Sequence, residues 1–166
     1  MCGTIIPVAD PKELPLWIQA FLKAYPYRRA RWSQPAAVKP LREAKAALVT
    51  TAGLHLPEQL PFDESLKGGD CSYRWLPGDV DVQQLRIAHR SKSFNHAGIE
   101  QDRNLCFPLD RFRELVAEGI IGGLNERHLS FMGSILAPGR LLSQTAPEAA
   151  RGLKQDGVDV VFLTPV

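Results

Sequence analysis

The sequence lacks several features that would decide a function early. It has three cysteines, Cys2, Cys71 and Cys106, an odd number without paired spacing, which argues against a disulfide framework. Charge is nearly balanced, 20 Lys and Arg against 18 Asp and Glu, and a net +2 points to no nucleic-acid or membrane partner. No apolar run approaches the ~18 residues of a membrane span. Met1 to Asp10 has neither the basic start nor the apolar core of a signal peptide, so the expected location is cytoplasmic. There is no Gly-x-x-x-x-Gly-Lys or Gly-x-Gly-x-x-Gly phosphate cradle and no Gly-x-Ser-x-Gly nucleophile elbow. What is present is an ordinary globular composition, 45% hydrophobic and 23% charged over 166 residues, enough for one domain with an N-terminal arm.

The most informative stretch is the last. Thr145-Ala146-Pro147-Glu148 has capping-box spacing, with Pro147 in the first turn of a helix that Gly157 stops. Val158 to Leu163 is a nearly unbroken apolar run, predicted to be a strand covered on both faces, as in parallel sheets. Ligands of open α/β sheets bind outside the carboxyl ends of the strands. Thr164-Pro165-Val166 therefore lies where chemistry is expected.

Upstream, Leu14, Trp17, Ile18, Phe21 and Leu22 form one face of a helix that Pro26 ends. Tyr27 to Trp32 interleaves basic and aromatic residues, better read as a solvated arm than as a nucleic-acid site. Ala46 to Thr50 reads as a buried strand running into Thr51-Ala52-Gly53-Leu54-His55, a backbone that a ligand can approach closely. Residues 57–83 form an irregular Pro- and Gly-rich excursion. Gln84 to Ala88 is a second short strand ending at His89. Pro108 and Asp110 open a helix whose core face is Leu109, Phe112, Leu115 and Val116, closed by Gly119. Ile120 to Leu124 and Leu129 to Ile135 are strand or hairpin. The expected fold is an open, mostly parallel α/β sheet flanked by helices, with a helical arm over 1–40 and the α/β domain over 41–166.

His89, His96 and Asp102 with Cys71 or Cys106 match no metal spacing, and no metal site is assigned. Cys106 beside Phe107 reads as a small buried hydrophobe. Cys71 lies in the Gly-rich excursion, which could expose its thiol, with only Arg74 nearby to lower its pKa. His89 is either a hydrogen-bonded histidine or a functional one at a strand end.

Leu48-Val49-Thr50-Thr51-Ala52-Gly53-Leu54-His55, Asp102-x-Asn104-x-x-Phe107-Pro108-Leu109-Asp110-Arg111, Ser130-Phe131-Met132-Gly133, and Thr145 to Pro165 around Gly157-Val158-Asp159 occur in collinear order. Together they resemble the selenoprotein B family of glycine/sarcosine/betaine reductases, which also includes a D-proline reductase subunit. The resemblance covers Leu41 to Val166. It implies a selenol- or thiol-dependent oxidoreductase that cleaves C–N bonds reductively, with a thioredoxin-like electron donor. It also implies a pyruvoyl group held only by a partner subunit, and a selenocysteine or cysteine directly after the last strand.

On this resemblance the nucleophile is expected beyond Val166, and the chain as given is expected to be inactive, truncated at a UGA codon or otherwise. His89 and Asp102 are the catalytic candidates within it. Thr51, Gly53, His55, His96, Asn104, Met132 and Gly133 are expected to bind a small-molecule substrate. His96 follows Asn95 where the family pattern leads one to expect an acidic residue. The cofactor complement of this chain alone is none, and a partner subunit or homo-oligomer is expected. A non-catalytic binding or assembly domain with the same pocket is the alternative.

Overall fold

The computed structural model describes residues 14–24, 39–91 and 96–166. Contacts divide the chain into two units, 1–35 and 36–166, each taken here by itself. In the first, α1 spans Leu16–Ala24. Its Leu16, Trp17 and Phe21 are exposed. The basic and aromatic stretch 27–32 falls outside the described residues.

The second unit is built on β1 (Lys45–Thr50), whose Ala46, Ala47, Leu48 and Thr50 are essentially inaccessible to solvent. Small residues at Ala46 and Ala47 let layers approach from both faces, and Leu48 fills the space between them. On one side β1 meets β5 (Gly123–Leu124) and then β6 (Arg127–Phe131); on the other it meets β7 (Val160–Thr164), all parallel. The hairpin alternative for residues 120–135 therefore does not occur. β3 (Tyr73–Pro77) adds to the far edge of β6 antiparallel, giving a mixed, mostly parallel sheet in the order β3-β6-β1-β5, with β7 on β1.

One strand was hidden in the sequence: β3 falls in the stretch expected to be irregular. Its Tyr73-Arg74-Trp75-Leu76 is aromatic-rich and suits a pleated surface. Trp75 packs against Gly152 and under the Arg127 guanidinium, 4.0 Å from its ring centroid. The strand ending at His89 is β4 (Arg86–Ile87), and it pairs antiparallel with β2 (Leu54–His55) in a separate two-stranded sheet.

Further segments of the unit include α2 (His96–Gln101), a 3-10 turn at Arg103–Leu105, α3 (Leu109–Ala117) and α4 (Ala146–Gln155). One core layer joins Leu48, Leu54, Leu76, Leu85, Phe107 and Leu109. Each of these fully buried side chains contributes about 1.5–3 kcal/mol by leaving water. On the opposite face Ala47, Leu129 and Phe131 pack on Ala149 and Leu153 of α4.

Two expectations at the carboxyl-terminal end are corrected. Thr145 is no N-cap: its backbone is already helical (φ −73°, ψ −39°) within a π turn at Leu141–Thr145, its hydroxyl makes no capping bond, and Glu148 accepts instead from the Tyr73 hydroxyl at 2.9 Å. Gly157 does stop the helix, at φ +74°. The final strand is not covered on both faces. β7 pairs with β1 alone, and Val161, Phe162 and Leu163 are 39%, 45% and 66% exposed. Phe162 rests on Phe112 of α3, ring centroids 5.0 Å apart, beside a groove of about 250 Å³ lined by Leu41, Phe112, Leu115, Ile121 and Val160.

Candidate active site at the carboxyl ends of β1, β6 and β7

Three parallel strands finish side by side, and the residues after them tie together through the main chain. Thr51 donates its N–H to the Thr164 carbonyl at 3.2 Å and accepts the Gly133 N–H on its own carbonyl at 2.7 Å. The Thr51 hydroxyl accepts the Val166 N–H at 2.9 Å. It donates only weakly to the Val166 oxygen, at 3.4 Å. Asp159 sets this register at the other end of β7, accepting the Lys45 N–H at 3.0 Å and pairing with Lys39 at 2.8 Å. Those two contacts, Lys39 first, hold its carboxyl below the usual range.

Gly53 explains how His89 arrives here. Its N–H donates to the Phe131 carbonyl at 2.8 Å, and its carbonyl accepts the Ala88 N–H at 2.9 Å, so it joins the ends of β1, β6 and β4. It sits at φ +68°, and a Cβ there would lie 2.1 Å from the Ala88 oxygen, so only glycine fits. The chain leaving β4 thus places His89, which is buried, over Gly133. A methyl group on Gly133 would stand 3.0 Å from His89 Nε2, 3.1 Å from the Thr51 oxygen and 3.2 Å from the Val166 oxygen.

The electrostatics of His89 follow from its surroundings. Its Nδ1 accepts the Ser91 N–H at 3.2 Å. Burial, and secondarily the nearby His96, lower its pKa from the ordinary value. His96 opens α2, with its ring centroid 6.3 Å from that of His89.

Of the residues singled out from sequence, Thr51, Gly53, His89, His96 and Gly133 are thereby brought together with Val166. Met132 is fully buried in a cluster with Phe62 and Ala88. His55 is buried, its Nδ1 donating to the Leu56 carbonyl at 2.8 Å. Asp102 and Asn104 build a turn of their own. The Asp102 carboxylate is held below its usual range by the Asn104 N–H and side chain, and it also accepts from Gln83 at 3.0 Å. Asn104 donates to Asp110 at 2.9 Å.

Neither described cysteine is poised to react. Cys106 is fully buried, and burial pushes its thiol up to about 12. Cys71 is also buried, correcting the expectation of an exposed thiol, with its sulfur 3.8 Å from the Ala137 carbonyl. Among the described residues no group of three or more His, Cys, Asp or Glu could hold a metal ion, and no helix is long and apolar enough to cross a membrane.

Comparison with known proteins now bears on this site. The family model for glycine/sarcosine/betaine reductase selenoprotein B matches residues 19–166. The chain belongs to the selenoprotein B family. It is similar to the D-proline reductase subunit gamma of Acetoanaerobium sticklandii, 36% identical over 126 residues, covering 76% of this chain and 50% of that one. It is also similar to the glycine reductase complex component B subunit gamma of Symbiobacterium thermophilum (32% identity; 76% of this chain, 29% of the relative). A betaine reductase complex component B subunit beta from Peptoclostridium acidaminophilum is 32% identical, with 78% of this chain and 29% of that relative covered. This selenoprotein B family member therefore spans half the length, or less, of these curated relatives. No solved structure matches.

Proposed function

We propose that the chain supplies the substrate pocket of a selenol- or thiol-dependent reductase acting on a small amino acid or N-methylated amino acid. The observation that carries this reading is the juxtaposition of Thr51, Gly133, His89 and Val166 at the carboxyl ends of three parallel strands. The names of the relatives supply the substrate class: D-proline, glycine, betaine and sarcosine. They also name reductase complexes, which supports a partner subunit.

In this reading the nucleophile comes from polypeptide outside the described residues and enters beside the exposed flank of β7. Cys106 is sealed at about 12, and a nucleophilic chalcogen must be ionised. The selenolate or thiolate attacks the carbon bearing nitrogen. The C–N bond breaks with its electron pair on nitrogen, which takes a proton. A second thiol then attacks the chalcogen, the carbon leaves with the bonding pair and is protonated, and the two chalcogens end as a selenosulfide or disulfide. A cytoplasmic thioredoxin-like dithiol reduces that bond. Any pyruvoyl group that activates the substrate amine belongs to a partner subunit.

The test is C–N cleavage by residues 1–166 with dithiothreitol and each of the four substrates. No turnover is expected from this polypeptide alone. Turnover would contradict the placement of the nucleophile and direct attention to Cys71 or Cys106. The exposed apolar strip of β7 favours a second reading, a non-catalytic assembly domain using the same pocket. Selenium or a redox-active cysteine pair in the native protein separates the two.

A further inference from the structure

β3 and β7, at opposite edges of the main sheet, are treated differently. An open edge is a row of unpaired main-chain groups that invites another strand, and proteins blunt it with charge, proline or a covering loop. On β3 the Gln59 side chain donates to the Trp75 carbonyl at 2.9 Å, and Arg74 donates to the carbonyls of Leu60 and Pro61 at 2.7 and 3.2 Å. That strand also carries a charge and ends on Pro77. β7 reads Val160-Val161-Phe162-Leu163-Thr164, with no charge, proline or glycine in it. We propose that β7 pairs antiparallel with β7 of a second copy of this chain, about a two-fold axis at Phe162, and continues the sheet across the dimer. This inference goes beyond the reductase reading and stands without it.

The direction of the main-chain groups sets the register. The Thr51 N–H takes the Thr164 carbonyl, so Thr164, and with it Phe162 and Val160, turn their groups toward β1. Val161 and Leu163 turn theirs outward, and no strand among the described residues pairs with them there. An axis at Phe162 sets Val161 of each copy against Leu163 of the other, so every outward N–H meets an outward carbonyl. The two Phe162 residues then face each other at a non-hydrogen-bonded position, with Cα atoms about 4.5 Å apart and their rings in reach.

The side chains agree with this pairing. Val161 and Leu163 lie level with Ala47 and Val49 on the α4 face, and Phe162 lies level with Leu48 on the α3 face, so apolar surface is open on both. Leu41 and Ile120, 53% and 47% exposed, extend the strip across the groove beside Phe162. At roughly 200 Å² for a fully open large side chain, these residues leave about 500 Å² to bury per copy, short of the ~800 Å² per partner of a standard interface and suited to a weak, reversible dimer. The charges flanking the strip are of both signs, Arg42 with Glu43 beside Leu41 and Arg111 with Glu114 on α3, as a self-complementary patch requires. The residues after Thr164 run past the paired strip in opposite directions, so both carboxyl-end sites stay open.

The experiment is sedimentation equilibrium of residues 1–166, 18.4 kDa as a monomer, from about 1 to 200 μM. A reversible dimer with Kd on the order of 10 μM is expected. Leu163→Lys sets an ammonium against the other copy's apolar strand and should stay monomeric throughout with an unchanged urea midpoint, since Leu163 is 66% exposed. Leu163→Pro removes an outward N–H that β1 does not use and should weaken the dimer at least about tenfold. Cross-linking reads the register. In a Cys2→Ser background, Phe162→Cys should form an intermolecular disulfide on mild oxidation, whereas Thr164→Cys, about 13 Å from its counterpart, should not. A wild type that is monomeric at every concentration, a dimer that Leu163→Lys leaves intact, or cross-linking at 164 without cross-linking at 162 overturns the proposal. A monomer on purification from the native source, with another segment seated on β7, overturns it as well. None of these readouts needs redox activity, so each can fail while the reductase reading stands.

Discussion

His128 Nδ1 accepts the main-chain N–H of Leu48 at 3.1 Å, filling the gap in the β1 ladder between its pairing with β5 and its pairing with β6. The ring is inaccessible to solvent, lies edge-on to Phe107 with centroids 5.8 Å apart, and its Nε2 has no hydrogen-bond partner among the described residues. Burial, with a smaller contribution from Arg113, lowers its pKa to about 4.

This relationship predicts a pH dependence of stability. The unfolded His128 takes its proton near the ordinary 6.5 and the folded one near 4, so between those values the unfolded state binds more protons. Stability is therefore full above about pH 6.5 and falls as the pH drops toward 4, by on the order of 3 kcal/mol from this group. His128→Asn places an acceptor oxygen near Nδ1 without titrating. Urea midpoints at pH 7 and 4.5 should differ less in this variant than in the wild type, and an unchanged slope would remove His128 as the cause. His128→Ala should cost about 1–3 kcal/mol at pH 7 by stranding the Leu48 N–H, beyond the loss of ring packing.

Gly53 should tolerate no side chain. With φ +68° and a prospective Cβ 2.1 Å from the Ala88 oxygen, Gly53→Ala forces the end of β1 away from β4. A loss above about 2 kcal/mol is expected, read by chemical denaturation, together with a shifted His89 ring resonance. Wild-type stability in this variant would contradict the close approach.

Cys106 should resist alkylation. With its thiol at about 12 and its side chain fully buried, iodoacetamide at pH 8 should leave it unmodified in the folded protein and label it in urea, as scored by peptide mapping. Rapid native-state labelling would reopen it as a nucleophile.

The edge of β7 should bind apolar dyes. Phe162 and the groove beside it expose apolar area of the kind that monomers rarely leave open. Phe162→Ser should lower anilinonaphthalene sulfonate fluorescence with little change in the urea midpoint, since the ring is 45% exposed. Undiminished fluorescence would place the sticky surface elsewhere.

What was legible in the sequence was what local pattern controls. The apolar run at Ala46 to Thr50, the amphipathic helix opened by Pro108, and the helix-glycine-strand succession ending in β7 are all present. β3 was obscured by the prolines and glycines around it, because its pairing with β6 is a long-range choice that flanking turn residues do not report. The capping box failed for a local reason. The helical turn begins before Thr145, so the residue is buried in the turn instead of capping it. At the site, Thr51 and Gly133 from the quoted motifs and His89 from a strand end lie together in the structure. The structural role of His128 was missed, although a histidine and a serine alternating on one face of a buried strand, His128 and Ser130, were its available signal. Asp102 and Asn104 share a motif with the start of α3, and the structure shows them bonded to each other and, through Asn104, to Asp110, a turn that the residue pattern alone does not report.

The most direct measurement is the intact mass and selenium content of the protein purified from its native source, compared with the 18.4 kDa of residues 1–166. The proposal that a chalcogen nucleophile from outside the described residues acts beside β7 predicts selenium, or a redox-active cysteine other than Cys71 and Cys106, in the active protein. An 18.4 kDa protein without selenium that still cleaves a C–N bond with a dithiol donor would contradict it.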